Sequence, residues 1–156
     1  MKGNKLKILH LSTIFPQFES DVRGIFIKRH IMSMADHFDN YVLAPLSPSS
    51  KKNEIWLGVK IFRFQYWFVK NKLSIGYGID TRQNLSISLL AKLPVLPYLL
   101  TFLFPTFRLG RKVDVYHAHT TLTAIFPIIV NCVSKKKKPI ISSALGSDLT
   151  FLPTWF

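Results

Sequence analysis

Two short polar motifs, each closing an apolar run late in the chain, constrain the fold more than any other feature. Asp114-Val115-Tyr116-His117-Ala118-His119 ends one run, and Ser142-Ser143-Ala144-Leu145-Gly146-Ser147-Asp148-Leu149 ends the next. Between them, residues 121–134 have the length and apolar content of a helix. The order is strand, helix, strand, with polar residues at the end of each strand. Such a unit belongs to a parallel sheet, and open parallel sheets bind ligands at the carboxyl ends of their strands.

The same alternation runs back through the chain. Residues 7–12 read as a short strand buried on both faces. A loop over 13–23 carries Pro16, and Gly24 then opens a helix. Ile27, Ile31, Met34 and Phe38 share one face of that helix, with Lys28, Arg29, Ser33 and Asp36 on the other. Asp39-Asn40 reads as a turn, 41–44 as a strand stopped by Pro45, and 45–53 as a loop. Residues 59–64 alternate as a third strand, 65–80 are irregular and aromatic, and 81–93 are predicted helical, with prolines breaking the pattern beyond. Strands over 113–117 and 139–144 flank the late helix. The predicted fold class is α/β: a Rossmann-like open parallel sheet with helices on both faces.

At 156 residues the chain has the length of one domain, and a hydrophobic content of 48% excludes disorder. A single cysteine, Cys132, forbids an internal disulfide and fits a reducing, cytoplasmic compartment. Its apolar helical surroundings predict a buried, inert thiol. The basic start is followed by an apolar run, residues 8–11, too short for a secretion signal. Residues 85–109 are apolar but contain Lys92, Pro94, Pro97 and Pro105. A helix broken by prolines, packed on the protein or lying on a bilayer, is expected there rather than a membrane span.

The net charge of +13 favours anionic partners, whether phosphates, anionic lipid or nucleic acid. The lysines are scattered in loops, and no RNP-like or helix-turn-helix pattern accompanies them, so nucleic acid is not expected. Gly76-Tyr77-Gly78 follows no clear strand and is a weak dinucleotide signal. No phosphate-loop sequence, CxxC pair or nucleophile elbow is present, and spacing alone picks out no acid–base pair.

Three helix starts should gather at the carboxyl edge of the sheet: at Gly24, at Thr120-Thr121 and at Ser147-Asp148. Each offers unpaired backbone N–H groups and the positive end of a helix dipole, which suits a phosphate-bearing ligand. Gly24 and Gly146 either let a ligand approach the backbone or are simple turn residues. Arg23 and Lys28 flank the first start and either meet a phosphate or form a solvated basic face. Asp148 either caps its helix or binds a sugar hydroxyl. His117 and His119 have strand spacing and share a face. No carboxylate or cysteine nearby completes a ligand set, so no metal site is predicted. His119, at the strand end, is the one placed to donate to a ligand, and mid-strand His10 is expected to be a satisfied core histidine.

Taken in order, these segments resemble the N-terminal domain of GT-B glycosyltransferases of the family-4 kind. Residues 7–12 with Phe15-Pro16 look like the family's opening strand and loop, and Arg23-Gly24-Ile25-Phe26-Ile27 like its first glycine and helix start. Residues 41–45 and 58–64 fit its next two strands, and Asp114–His119 and Gly146-Ser147-Asp148 its late motifs. The resemblance implies two Rossmann-like domains facing a cleft, the first receiving the acceptor and the second most of a nucleotide-sugar donor. It implies sugar transfer with retention, no bound metal or other cofactor, and a glycan or glycolipid acceptor in surface polysaccharide synthesis at an anionic membrane surface, the inner face of the cell membrane. Gly24 would lie near the donor phosphate and acceptor, with His119 and the Gly146-Ser147-Asp148 turn lining the cleft; Arg23, beside Gly24, is counted among the substrate-binding residues for its charge toward a phosphate. Many members place a sugar-contacting histidine just before that last glycine. Leu145 stands there in this chain, as in some members with a Gly-Ser-Asp turn, so that catalytic role does not carry over. On this reading residues 1–156 are a single, incomplete acceptor-side domain without its donor-binding partner domain, inactive alone. The alternatives are a non-catalytic membrane-surface or partner-binding module, or one subunit of a split transferase.

Overall fold

The computed structural model describes residues 5–66 and 95–144. Among them, six strands form one sheet in the order β3-β4-β2-β1-β5-β6. These are β1 (Lys7–Leu11), β2 (Asp39–Pro45), β3 (Asn53–Trp56), β4 (Val59–Phe64), β5 (Val115–Ala118) and β6 (Ile140–Ser142). Three helices accompany them: α1 (Ile25–Ser33), α2 (Val95–Gly110) and α3 (Thr121–Val133). All neighbouring strands are parallel except β3 and β4. The α/β open-sheet prediction therefore holds.

The strands are short apolar runs, and their side chains alternate between two separate cores. On one face, Leu9, Leu11, Leu43, Phe64 and Tyr116 pack against Phe102 of α2 and Phe126 and Val130 of α3. The Phe102 and Phe126 rings stack with centroids 4.3 Å apart. On the other face, Val42, Ala44, Val59 and Ile61 pack against Ile27 and Ile31 of α1 and against Phe15 and Trp56. The amphipathic face read for α1 is thus half right. Ile27 and Ile31 are buried, but the helix stops at Ser33, and Met34 and Phe38 lie beyond it, half-buried.

Other local readings are corrected by long-range pairing. Asp39 and Asn40 do not turn, because they pair with Lys7 and Ile8 as the first residues of β2. The loop assigned to 45–53 is followed by β3, which pairs antiparallel with β4 across a two-residue turn at Leu57-Gly58. Both turn residues have positive φ (49° and 82°), the backbone a tight hairpin requires. The prolines do not break residues 95–110. Pro97 falls in the first turn of α2, where its missing N–H has no partner to lose. Pro105 lies within the helix, where packing of Phe102 and Leu109 holds the turns on either side. The helix predicted over 81–93 lies outside the described residues. Cys132 is exposed, since it lies on the outer side of α3. No described helix is long and apolar enough to cross a membrane.

Candidate functional site

The chain leaves β1 in one direction to reach β2 and later returns to β1's other side as β5, so the topology switches between β1 and β5. Open parallel sheets hold their ligands in the crevice outside the carboxyl ends of such a strand pair. Helices α1 and α3 both start at this edge. Gly24 is the N-cap of α1 and adopts the left-handed conformation (φ 66°, ψ 20°). A Cβ there would meet Ile14 Cγ2 at 3.0 Å and Ile14 O at 3.3 Å, so the position suits only glycine. At α3, the Thr123 backbone N–H donates to Thr120 Oγ1 and the Thr120 backbone N–H donates to Thr123 Oγ1, each at 3.2 Å. This is a reciprocal capping box with threonine in the place usual for glutamate.

The loop from β1 to Gly24 is held from inside. Phe15 is fully buried and stacks on Trp56 with ring centroids 5.8 Å apart. Arg63 on β4, itself buried, donates to the Pro16 carbonyl at 2.7 Å and pairs with Glu54 at 3.4 Å. Asp21 accepts from the backbone N–H groups of Gln17 (2.9 Å) and Arg23 (3.1 Å). Burial alone would raise its carboxyl, but these bonds outweigh burial and hold it below the usual carboxylate range.

Beneath the crevice, four imidazoles meet. Register pairs His10 of β1 with His117 of β5, and His119 follows two residues later on the same face. The His117 and His119 rings are 4.3 Å apart, and the His10 ring lies 5.2 and 5.3 Å from them. His30, from the second turn of α1, stands nearly perpendicular to both, its ring centroid 5.5 Å from that of His117 and 5.8 Å from that of His119. One ring nitrogen each of His10, His117 and His119 lies within 4.8 Å of the others.

The hydrogen bonds set the tautomers. Asn40 Nδ2 donates to the Phe38 carbonyl, which turns Oδ1 of the same amide toward His10 Nε2, 3.0 Å away. His10 Nε2 therefore carries the proton, and its Nδ1 is the acceptor for His119 Nε2–H at 3.1 Å. His117 Nε2 is 2.9 Å from Ser143 Oγ, just beyond β6. Burial pushes His10 down to about 3 against the opposing Asn40 bond, and burial with the neighbouring rings pushes His119 down to about 2. Burial and His30 lower His117 as well. The three are neutral near pH 7 and act as lone-pair donors or N–H donors, not as acids.

The residues predicted for the site divide three ways. Gly24 and His119 are at the carboxyl edge, both buried. Arg23 lies there too, exposed, with its backbone tied to Asp21. Gly146, Ser147 and Asp148 lie outside the described residues. His10 is a satisfied core histidine, as predicted, yet it is also the partner of His119, and that connection was missed with Asn40, His30 and Ser143. The one available signal was that His10 and His117 both sit in the middle of apolar runs. Asp114, the first residue of the late motif, serves the opposite edge, where its carboxylate accepts from Lys7 N–H at 3.0 Å. Two cavities, of about 610 and 460 Å³, also open at that amino edge among Arg111, Lys112 and Lys135–Lys138. They are broad basic surfaces remote from the switch crevice.

Models of protein families, curated proteins and solved structures contain no match to this chain.

Proposed function

We propose that this chain is the acceptor-side half of a retaining GT-B glycosyltransferase, which moves a sugar from a nucleotide-sugar donor to a glycan or glycolipid acceptor. The observation that carries the reading is the crevice between β1 and β5, flanked by the left-handed glycine that starts α1 and the capped start of α3. Backbone N–H groups at both helix starts favour anionic and hydroxyl-rich ligands. The order of motifs along the chain supports the same reading. In a GT-B enzyme the donor is held chiefly by a second domain, and catalysis needs both walls of a closed, preorganised cleft. Residues 1–156 by themselves therefore bind acceptor without turnover. The test is calorimetric titration of the purified chain with glycan acceptors, beside a turnover assay with nucleotide sugars. Acceptor binding abolished by Gly24→Val supports the reading. Turnover by this chain alone refutes the claim of inactivity, and no binding to any glycan refutes the acceptor-side role.

One observation favours a membrane-surface role beside it. Leu96, Leu100 and Phe104 of α2 are exposed at four-residue spacing, and Leu122, Ile125, Ile129 and Val133 are exposed at three- and four-residue spacing along α3. Both helices end at the basic amino edge, next to Arg111, Lys112 and Lys135–Lys137, all exposed. An apolar helical face with a basic end suits an anionic leaflet, each cation near the surface contributing about 1 kcal/mol. Co-sedimentation with anionic vesicles that weakens with salt supports this. Equal indifference to anionic and neutral vesicles counts against it.

A further inference from the structure

We propose that His10, His117 and His119 form a binding site for a borderline divalent metal ion of the zinc class. The argument is geometric and independent of the transferase reading. Imidazole nitrogen is a preferred ligand of Zn²⁺, and three histidines with one open position make a recurrent zinc set. Zinc–nitrogen bonds of about 2.0–2.1 Å in tetrahedral geometry separate ligand nitrogens by about 3.3 Å. The His10 Nδ1 to His119 Nε2 separation of 3.1 Å meets that spacing already. With all three ligand nitrogens inside 4.8 Å, the His117 ring has about 1.5 Å to close. Its Nε2 now meets the hydroxyl of Ser143, half-buried just beyond β6.

The surroundings of His10 match a metal ligand's requirements. Ligating histidines donate their other ring N–H to a fixed acceptor, which orients the ring and raises its basicity. His10 Nε2–H does this toward Asn40 Oδ1, and the Asn40 amide is in turn anchored by the Phe38 carbonyl. The ion takes the place of the proton now shared between His10 Nδ1 and His119 Nε2. That proton moves to Nδ1 of His119, so both ligands stay neutral and the ion's own positive charge is the charge the site gains. The His30 ring of α1 lies against the same cluster, its centroid 5.5 Å from that of His117.

The test is titration of the full chain, stripped with chelator, with Zn²⁺ alone and with Co²⁺ alone. The expected result is one ion per chain and the visible absorption of four- or five-coordinate cobalt with nitrogen ligands. His117→Ala and His119→Gln should each weaken binding at least about 10-fold, while His37→Ala, on an exposed residue away from the cluster, leaves it unchanged. If a cluster variant fails to fold by circular dichroism, imidazole ¹⁵N shifts of the wild-type chain on Zn²⁺ addition replace it. Movement of the His10, His117 and His119 resonances supports the site. No binding at millimolar Zn²⁺, binding retained by both folded variants, or shifts confined to other histidines overturns it.

Discussion

His10 Nδ1 lies 3.1 Å from His119 Nε2, a hydrogen bond between adjacent parallel strands whose partners are 109 residues apart in the chain. It is buried, and burial keeps both rings neutral in the folded protein, down to about 3 and about 2. In the unfolded chain they protonate near the ordinary 6.5. Below that pH the unfolded state binds more protons than the folded one, so stability is complete above pH 6.5 and is lost as pH falls toward 3. Each histidine contributes a slope of about 1.4 kcal/mol per pH unit in that window. Chemical denaturation of metal-free protein between pH 7.5 and 4 should show this slope, and His119→Gln should reduce it. A stability flat from pH 7 to 5 would contradict the buried, neutral pair.

Gly24 starts α1 with a backbone that L-residues disfavour, and Ile14 occupies the space a side chain would need. Gly24→Ala should destabilise the fold by about 1–2 kcal/mol from the left-handed backbone, with the Ile14 contact adding to it. Urea denaturation measures the change. Gly58 is the comparison, since it also has positive φ but nothing lies within 4 Å of its absent Cβ. Gly58→Ala should therefore cost less than Gly24→Ala.

Arg63 ties β4 to the loop that leads into Gly24, through the Pro16 carbonyl and Glu54. Arg63→Ala strands a partly buried carboxylate and a buried carbonyl, and about 3 kcal/mol should be lost. The loop over residues 13–24 should also become the first site of limited proteolysis. Arg63→Ala with unchanged stability and cleavage would show that Phe15 packing alone holds the loop.

Gly110 ends α2 against the ring of Tyr116 on β5, and a Cβ there would lie 2.2 Å from Tyr116 Oη. Gly110→Ala should destabilise by about 1–3 kcal/mol through overpacking. Tyr116→Phe removes the clashing oxygen, so the double variant should recover part of the loss. A double-mutant cycle tests this coupling, and strict additivity would rule it out.

Much of the scaffold was legible from local pattern. The runs around residues 7–12, 41–44, 59–64, 113–117 and 139–144 are strands, and the helix starts at Gly24 and Thr120 are where cap and glycine chemistry place them. Misreadings gathered where a distant partner decides. Asn40 looks like a turn residue, but pairing with Ile8 makes it strand, and there its amide orients His10. Pro105 looks like a helix end, but α2 continues because its neighbours are buried against α3 and the sheet.

By itself, the sequence determined most of the strands and the helix starts at Gly24 and Thr120, and that polar residues end the strands, because apolar periodicity and capping act within a few residues. Tertiary structure alone decided that His10 stands opposite His117, that His119 shares its proton with His10, and that His30 reaches them from α1. Strand order and register fix those neighbours, and both are set by pairing between segments a hundred residues apart, which local periodicity does not encode.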